Sequence, residues 1–112
     1  MKIINEPSVL QILWENRDVD FTELMKVVVD VERKILAIDA EMHADLEKIL
    51  LENGSAQKNL WGANVYPGKS LDDLIEYTSF INIRPNQNNR SMEIVSESIR
   101  NTVKEIIIHL LK

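Results

Sequence analysis

The stretch from residue 26 to 39, Lys26-Val27-Val28-Val29-Asp30-Val31-Glu32-Arg33-Lys34-Ile35-Leu36-Ala37-Ile38-Asp39, constrains the fold more than any other. Branching at Cβ stiffens valine and isoleucine and favours extended backbone. A competing pattern runs through the same residues. Leu24, Val28, Val31, Ile35, Ile38 and Met42 fall at helical spacing and would continue through Leu46 and Ile49. A helix from Asp20 to Asn53 would be far longer than is usual in a small domain. We therefore read a hairpin, with strands Lys26–Glu32 and Ile35–Asp39 around Arg33-Lys34. That dipeptide is poor chemistry for a two-residue turn, which favours Asn-Gly or Asp-Gly.

The remaining elements follow from periodicity and end signals. Ser8 and Gln11 have capping-box spacing ahead of a short helix over 8–16. Asp20-Phe21-Thr22-Glu23 reads as a second helix start. Met42, Leu46, Ile49 and Leu50 share a helical face, and Asn53-Gly54 is a stop, so 42–53 is a helix. Leu60–Tyr66 alternates as a strand, and Pro67-Gly68 breaks it. Ile75–Arg84 alternates again and ends at Pro85. A last helix begins near Ser96, with Ile99, Val103, Ile106, Ile107, Leu110 and Leu111 as its apolar stripe. Lys2-Ile3-Ile4 has the makings of a short edge strand. The order α-β-β-α-β-β-α with short connections predicts an α+β fold, an antiparallel sheet of about four strands with helices packed on one face. At 112 residues with no linker or repeat, the chain is expected to form a single domain over 1–112.

Charge and composition narrow the function classes. Residues 1–81 hold 8 basic and 15 acidic side chains, and residues 82–112 hold 5 and 3, for a net charge of −5. An acidic body repels phosphate backbones, so nucleic-acid binding is disfavoured. There is no cysteine, which excludes disulfides, thiolate metal sites and a Cys nucleophile. No apolar run approaches the roughly 18 residues of a membrane span. The apolar stretch at Ile3-Ile4 is too short for a signal peptide, and a cytoplasmic protein is the expectation.

The blocks Glu41-Met42-His43-Ala44-Asp45, Leu60-Trp61-Gly62-Ala63-Asn64-Val65-Tyr66-Pro67 and Ile81-Asn82-Ile83-Arg84-Pro85 resemble an uncharacterised prokaryotic family of small proteins, a domain of unknown function. The likeness runs from about Val27 to the C-terminus. The family pattern has a Gly-Gly pair where this chain has Asp39-Ala40. The resemblance implies membership and a prokaryotic origin, and it implies no activity.

Three constellations are able to carry chemistry. If every apolar strand face meets the helices, Asp30, Glu32, Asn64, Asn82 and Arg84 share the opposite, polar face. Two carboxylates and a guanidinium there suit a hard cation or a polar small molecule; the plainer alternative is a solvated face with cross-strand pairs. Glu41, His43, Asp45 and Glu47 form a second group. Imidazole with carboxylate suits a divalent metal or a general base, against a plain complement to the helix dipole. The third is the amide-rich loop Arg84-Pro85-Asn86-Gln87-Asn88-Asn89-Arg90-Ser91, a candidate anion holder, or simply a turn. His109 reads as an interface or partly buried histidine. Ile108, on the polar side of the last helix, together with an open sheet edge, points to a homodimer.

The leading expectation is a binding or regulatory module that takes a small ligand or a protein and needs no cofactor. The rival is a metal-dependent hydrolase or nuclease in which Asp30, Glu32 and His43 hold a divalent metal and Arg84 stabilises an anion. A toxin–antitoxin-type partner protein is the third.

Overall fold

The structure, a computed structural model, describes residues 1–112. Five strands, β1 (Lys2–Ile4), β2 (Met25–Asp30), β3 (Ile35–Ile38), β4 (Leu60–Val65) and β5 (Ile75–Glu76), form one antiparallel sheet in the order β1-β3-β2-β4-β5. The helices are α1 (Leu10–Glu15), α2 (His43–Glu52) and α3 (Glu97–Leu110). The fold is therefore α+β. The fifth strand beyond the expected four is Lys2–Ile4, which pairs with β3.

The valine-rich middle is a hairpin, with Val28 opposite Ala37 and Asp30 opposite Ile35. Arg33-Lys34 does not turn the chain by itself. Val31–Lys34 make a four-residue turn, and Lys34 takes a left-handed φ of 57°. Asp30 supplies what the turn sequence lacks. Its Oδ1 accepts the N–H groups of Glu32 and Arg33, both at 2.9 Å.

Helices cover both faces of the sheet, not one. Val27, Val29, Leu36, Ile38, Trp61, Ala63 and Val65 pack with Val103, Ile107 and Leu110 of α3. Val28, Ile35, Ala37 and Leu60 pack with Leu46 and Leu50 of α2. Alternate residues of a strand emerge on opposite sides, so α2 and α3 lie on opposite faces. This explains why Val27, Val28 and Val29 are all fully buried: the central strand has no wet side.

The connections differ from expectation in three places. Ser8 does not cap α1; the cap position is Val9, and Ser8 instead bridges to Leu111 near the end of α3. Residues 17–24 are not helical. Arg17 stacks 3.7 Å from the Trp14 ring centroid and donates to the Phe21 carbonyl, holding this segment. The expected strand Ile75–Arg84 stops at Glu76 and gives way to 3₁₀ turns at Phe80–Asn82 and Pro85–Gln87. The other end signals correspond to real ends: α2 stops at Asn53-Gly54, where Gly54 has φ 103°, and Ser96 caps α3 through the Ile99 N–H.

Asp39 adopts φ 72°. Its carboxylate accepts the Asp18 N–H through both oxygens and the Val19 N–H through Oδ1. Left-handed backbone costs an ordinary L-residue about 1–2 kcal/mol; these hydrogen bonds to a charged acceptor offset it. Asp39→Ala loses the bonds and keeps the strained φ, so it is expected to destabilise the protein by about 2–3 kcal/mol. Asp39→Gly loses the bonds but relieves the backbone, and is expected to cost about 1 kcal/mol less than alanine. Urea unfolding midpoints of the two variants test the order; equal loss would remove the backbone part of the account.

Candidate functional site

On the α2 side of the sheet, Lys26, Asn64 and Glu76 form one row across β2, β4 and β5, because Lys26 pairs with Asn64 and Asn64 with Glu76. The first turn of α2 comes down beside this row. Gly62, the preceding residue of β4 on that side, makes the approach feasible. A Cβ there would lie 2.5 Å from Ser79 Cβ and 3.2 Å from His43 Cδ2.

His43 Nε2 lies 2.8 Å from the Ala63 carbonyl oxygen. A carbonyl only accepts, so Nε2 carries the proton and Nδ1 holds a lone pair. Burial lowers the pKa of His43, and Lys26 adds to the lowering. The Ala63 carbonyl and the Asn64 side chain oppose it by favouring the protonated ring. The net effect is a neutral imidazole at pH 7, a proton acceptor rather than a cation.

The row continues outward. Asn64 donates to Glu76 Oε1 at 2.8 Å, and the Tyr66 hydroxyl donates to the same oxygen at 3.2 Å. The Tyr66 hydroxyl is held above its usual pKa by desolvation and by the Glu76 charge. Asn64 is 8% exposed, and its Oδ1 has no hydrogen-bond partner. Lys26 donates to the Glu41 carbonyl at 2.7 Å and has no carboxylate within ion-pair distance, since the chain's one salt bridge is Arg84–Glu47. Met42 at the cap of α2 offers no side-chain acceptor, and the N–H groups of His43 and Ala44 have no partner. Unpaired donors at a helix start attract negative charge. The result is a polar shelf that gathers the Lys26 ammonium, two unpaired backbone N–H groups, the His43 imidazole, the Asn64 amide and the Glu76 carboxylate.

Of the residues singled out from sequence, the shelf unites His43, Asn64 and Glu41, with Asp45 exposed on the first turn of α2. Asp30 and Glu32 stand elsewhere. Asp30 is four residues from Lys26 along β2, about 13 Å, and is occupied in the turn; Glu32 is exposed in that turn. The expected shared polar face does not form, because α2 covers that side of the sheet. No group of three or more His, Asp or Glu side chains is placed to hold a metal ion. Glu47 turns from His43 to Arg84, at 3.1 Å. His109 is exposed rather than half-buried.

Asn82, Arg84 and Asn89 organise the loop that closes the outer edge of β4. Asn82 accepts the Gly62 N–H at 2.8 Å and donates to the Gly62 and Met92 carbonyls, both at 3.0 Å. Its amide thus imitates a neighbouring strand. Asn89 Nδ2 is shared among the carbonyls of Asn82, Ser91 and Glu93, and its Oδ1 accepts the Val95 N–H. The loop does not present these amides to a ligand; it exposes Phe80 and Ile83.

Sequence reasoning missed Lys26, Tyr66 and Glu76. Lys26 shares the parity of Val28 and Asp30, so the hairpin reading already put it on the Asn64 side once the β2–β4 register is known.

The protein is thus defined as an α+β sheet protein with helices on both faces and a polar shelf at the start of one of them. It belongs to the family described as Protein of unknown function (DUF5674), whose pattern it matches over residues 2–110. No curated protein and no solved structure matches it. No helix is long and apolar enough to cross a membrane.

The His43 shift has a consequence for stability. A folded-state pKa below the unfolded value means that the unfolded chain binds more protons in the intervening window, so stability rises with pH there. Stability is expected to be lost as pH falls below the ordinary value of 6.5 and through the folded-state pKa. Urea titrations between about pH 5 and 8 read this. His43→Gln should flatten the difference; an unchanged slope would assign it to another group.

Proposed function

We propose that this protein is a ligand-binding module and that the shelf at the start of α2 is its site for a small polar molecule. One observation carries the reading: the Lys26 ammonium, free of any carboxylate, stands beside the uncapped first turn of α2. Binding needs no nucleophile and no metal, only donors already held in place. Lys26 is fixed at the Glu41 carbonyl, one peptide unit from the helix start, so little ordering opposes binding.

The test is a titration of isotope-labelled protein with a panel of small polar metabolites, following backbone amide resonances by NMR. The amides of His43 and Ala44 should move saturably with at least one compound, and Lys26→Met should abolish the movement. A panel that leaves both amides still, or movement that survives Lys26→Met, defeats the reading.

A further inference from the structure

We infer that Asn53 is a site of spontaneous deamidation, and that Arg33, which clasps its side chain, governs how fast it reacts. Asparagine converts when the next backbone nitrogen attacks its own Cγ, and a side chain on that next residue hinders the approach. Among the asparagines of the chain, Asn53 alone is followed by glycine, which has no Cβ to stand in the way. Asn53 and Gly54 are both exposed, and a Cβ placed on Gly54 would meet no atom within 4 Å, so nothing packs over the junction. Asn82 and Asn89 are the opposite case. They are buried, they precede Ile83 and Arg90, and backbone groups hold both ends of each amide.

The reaction needs no reagent but water. The Gly54 nitrogen gives its proton to solvent and bonds to Asn53 Cγ. The Cγ–Nδ2 bond breaks, and Nδ2 leaves as ammonia. The cyclic imide that results takes up a water molecule at either of its carbonyls. One opening leaves an aspartyl residue. The other leaves an isoaspartyl residue, whose main chain runs through Cγ and is longer by a methylene.

The folded end of α2 holds this reaction back. Asn53 has φ −89° and ψ 4°, which turns the Gly54 nitrogen toward the Asn53 nitrogen and away from Cβ. The Gly54 N–H donates to the Leu51 carbonyl at 3.2 Å, and the Ser55 N–H to the Leu50 carbonyl at 3.0 Å. Arg33 fastens the side chains: Nη2 donates to Asn53 Oδ1 and Nη1 to Ser55 Oγ, both at 2.9 Å. Attack therefore requires that the last turn open and that Oδ1 leave Arg33. Helix ends open at far lower cost than the whole chain unfolds, so the native protein reacts through this local opening. The aspartyl product sets a carboxylate against Arg33 and turns a hydrogen bond into an ion pair. The isoaspartyl product shifts Gly54 and Ser55 away from the carbonyls they now reach and loosens α2 from the turn between β2 and β3.

The experiment holds the full chain folded in neutral buffer, with a parallel sample unfolded in guanidinium chloride, over several weeks. The tryptic peptide 49–58, bounded by Lys48 and Lys58, is followed by mass spectrometry. It should gain the mass difference between NH₂ and OH in both samples, faster in the unfolded one. Peptides carrying the other asparagines should lag behind it in the folded sample. Part of the product should accept a methyl group from an isoaspartate-specific methyltransferase. Arg33→Met should speed conversion of the folded chain about tenfold, the worth of the two hydrogen bonds it removes, and should leave the unfolded rate unchanged. A folded chain still unmodified when the unfolded sample has fully converted overturns the site, as does earlier conversion at another asparagine. Equal rates folded and unfolded, or an Arg33→Met rate no higher than that of the parent chain, overturn the control by Arg33.

Discussion

Asn82→Ala is expected to destabilise the protein by about 4 kcal/mol and to lower its Tm by about 15 °C. Asn82 is fully buried, and its amide satisfies three backbone groups: the N–H and C=O of Gly62 and the C=O of Met92. Each would be left unpaired at about 1–3 kcal/mol, and water entering the space recovers only part of that. The loss is large against a total stability of about 5–15 kcal/mol. Asn82→Asp separates the roles of the two ends of the amide. Its carboxylate still accepts from Gly62 but sets an oxygen against the two carbonyls that Nδ2 now reaches. A proton there is favoured in the folded state, which raises the folded pKa above the unfolded value near 3.9. The aspartate variant is therefore least stable at neutral pH and recovers as pH falls toward about 4. Urea unfolding across pH measures both variants. A loss under about 1 kcal/mol for Asn82→Ala would show that β4 does not depend on the amide for its edge.

The hairpin was legible because stiff side chains at Val27–Val31 outweigh a helical spacing that is satisfied only by counting across Arg33-Lys34. The covering of both sheet faces was legible as well, in a sign that points away from alternation. Val27-Val28-Val29 and Ile35-Leu36-Ala37-Ile38 are apolar without interruption, the pattern of strands buried on both sides. Reading them as one-sided placed Asp30, Glu32, Asn64, Asn82 and Arg84 on a polar face that α2 in fact occupies.

The end of β5 was not legible. Ile81 and Ile83 alternate with Asn82 and Arg84 as a strand would, yet Ile81 packs under α2 while Ile83 is exposed. Nothing local distinguishes this from a strand. The difference is made by partners distant in sequence: Gly62 receives the Asn82 amide, and Glu47 and Gln57 receive Arg84. The same holds for the shelf. His43 was found as a lone histidine near a helix start, but its neighbours Lys26 and Glu76 are brought to it by strand register.

Arg84→Ala is expected to cost about 3–4 kcal/mol, whereas the double replacement Arg84→Met with Glu47→Leu should cost much less, about 1 kcal/mol or under. The Arg84 side chain is 8% exposed and that of Glu47 is 15% exposed. Arg84 donates to Glu47 at 3.1 Å and to the Gln57 carbonyl at 2.8 Å, and its guanidinium carbon lies 5.0 Å from the Trp61 ring centroid. Burial lowers the pKa of Arg84, and Glu47 opposes it; desolvation is the larger of the two influences. The pair therefore contributes little net stability, and its worth lies in joining α2 to the loop. Truncating one partner strands the other in a site from which water is largely excluded, which is where the single-variant loss arises. Removing both charges relieves desolvation together with attraction, although the Gln57 carbonyl still loses its donor. Arg84→Lys should fall near alanine, because one ammonium lacks the fork that reaches Glu47 and Gln57 together. A double-mutant cycle in urea reads the coupling directly. If the double variant were as unstable as the sum of the single ones, the ion pair would be a surface contact in energetic terms. The closure of the β4 edge would then rest on Asn82 and Asn89 alone.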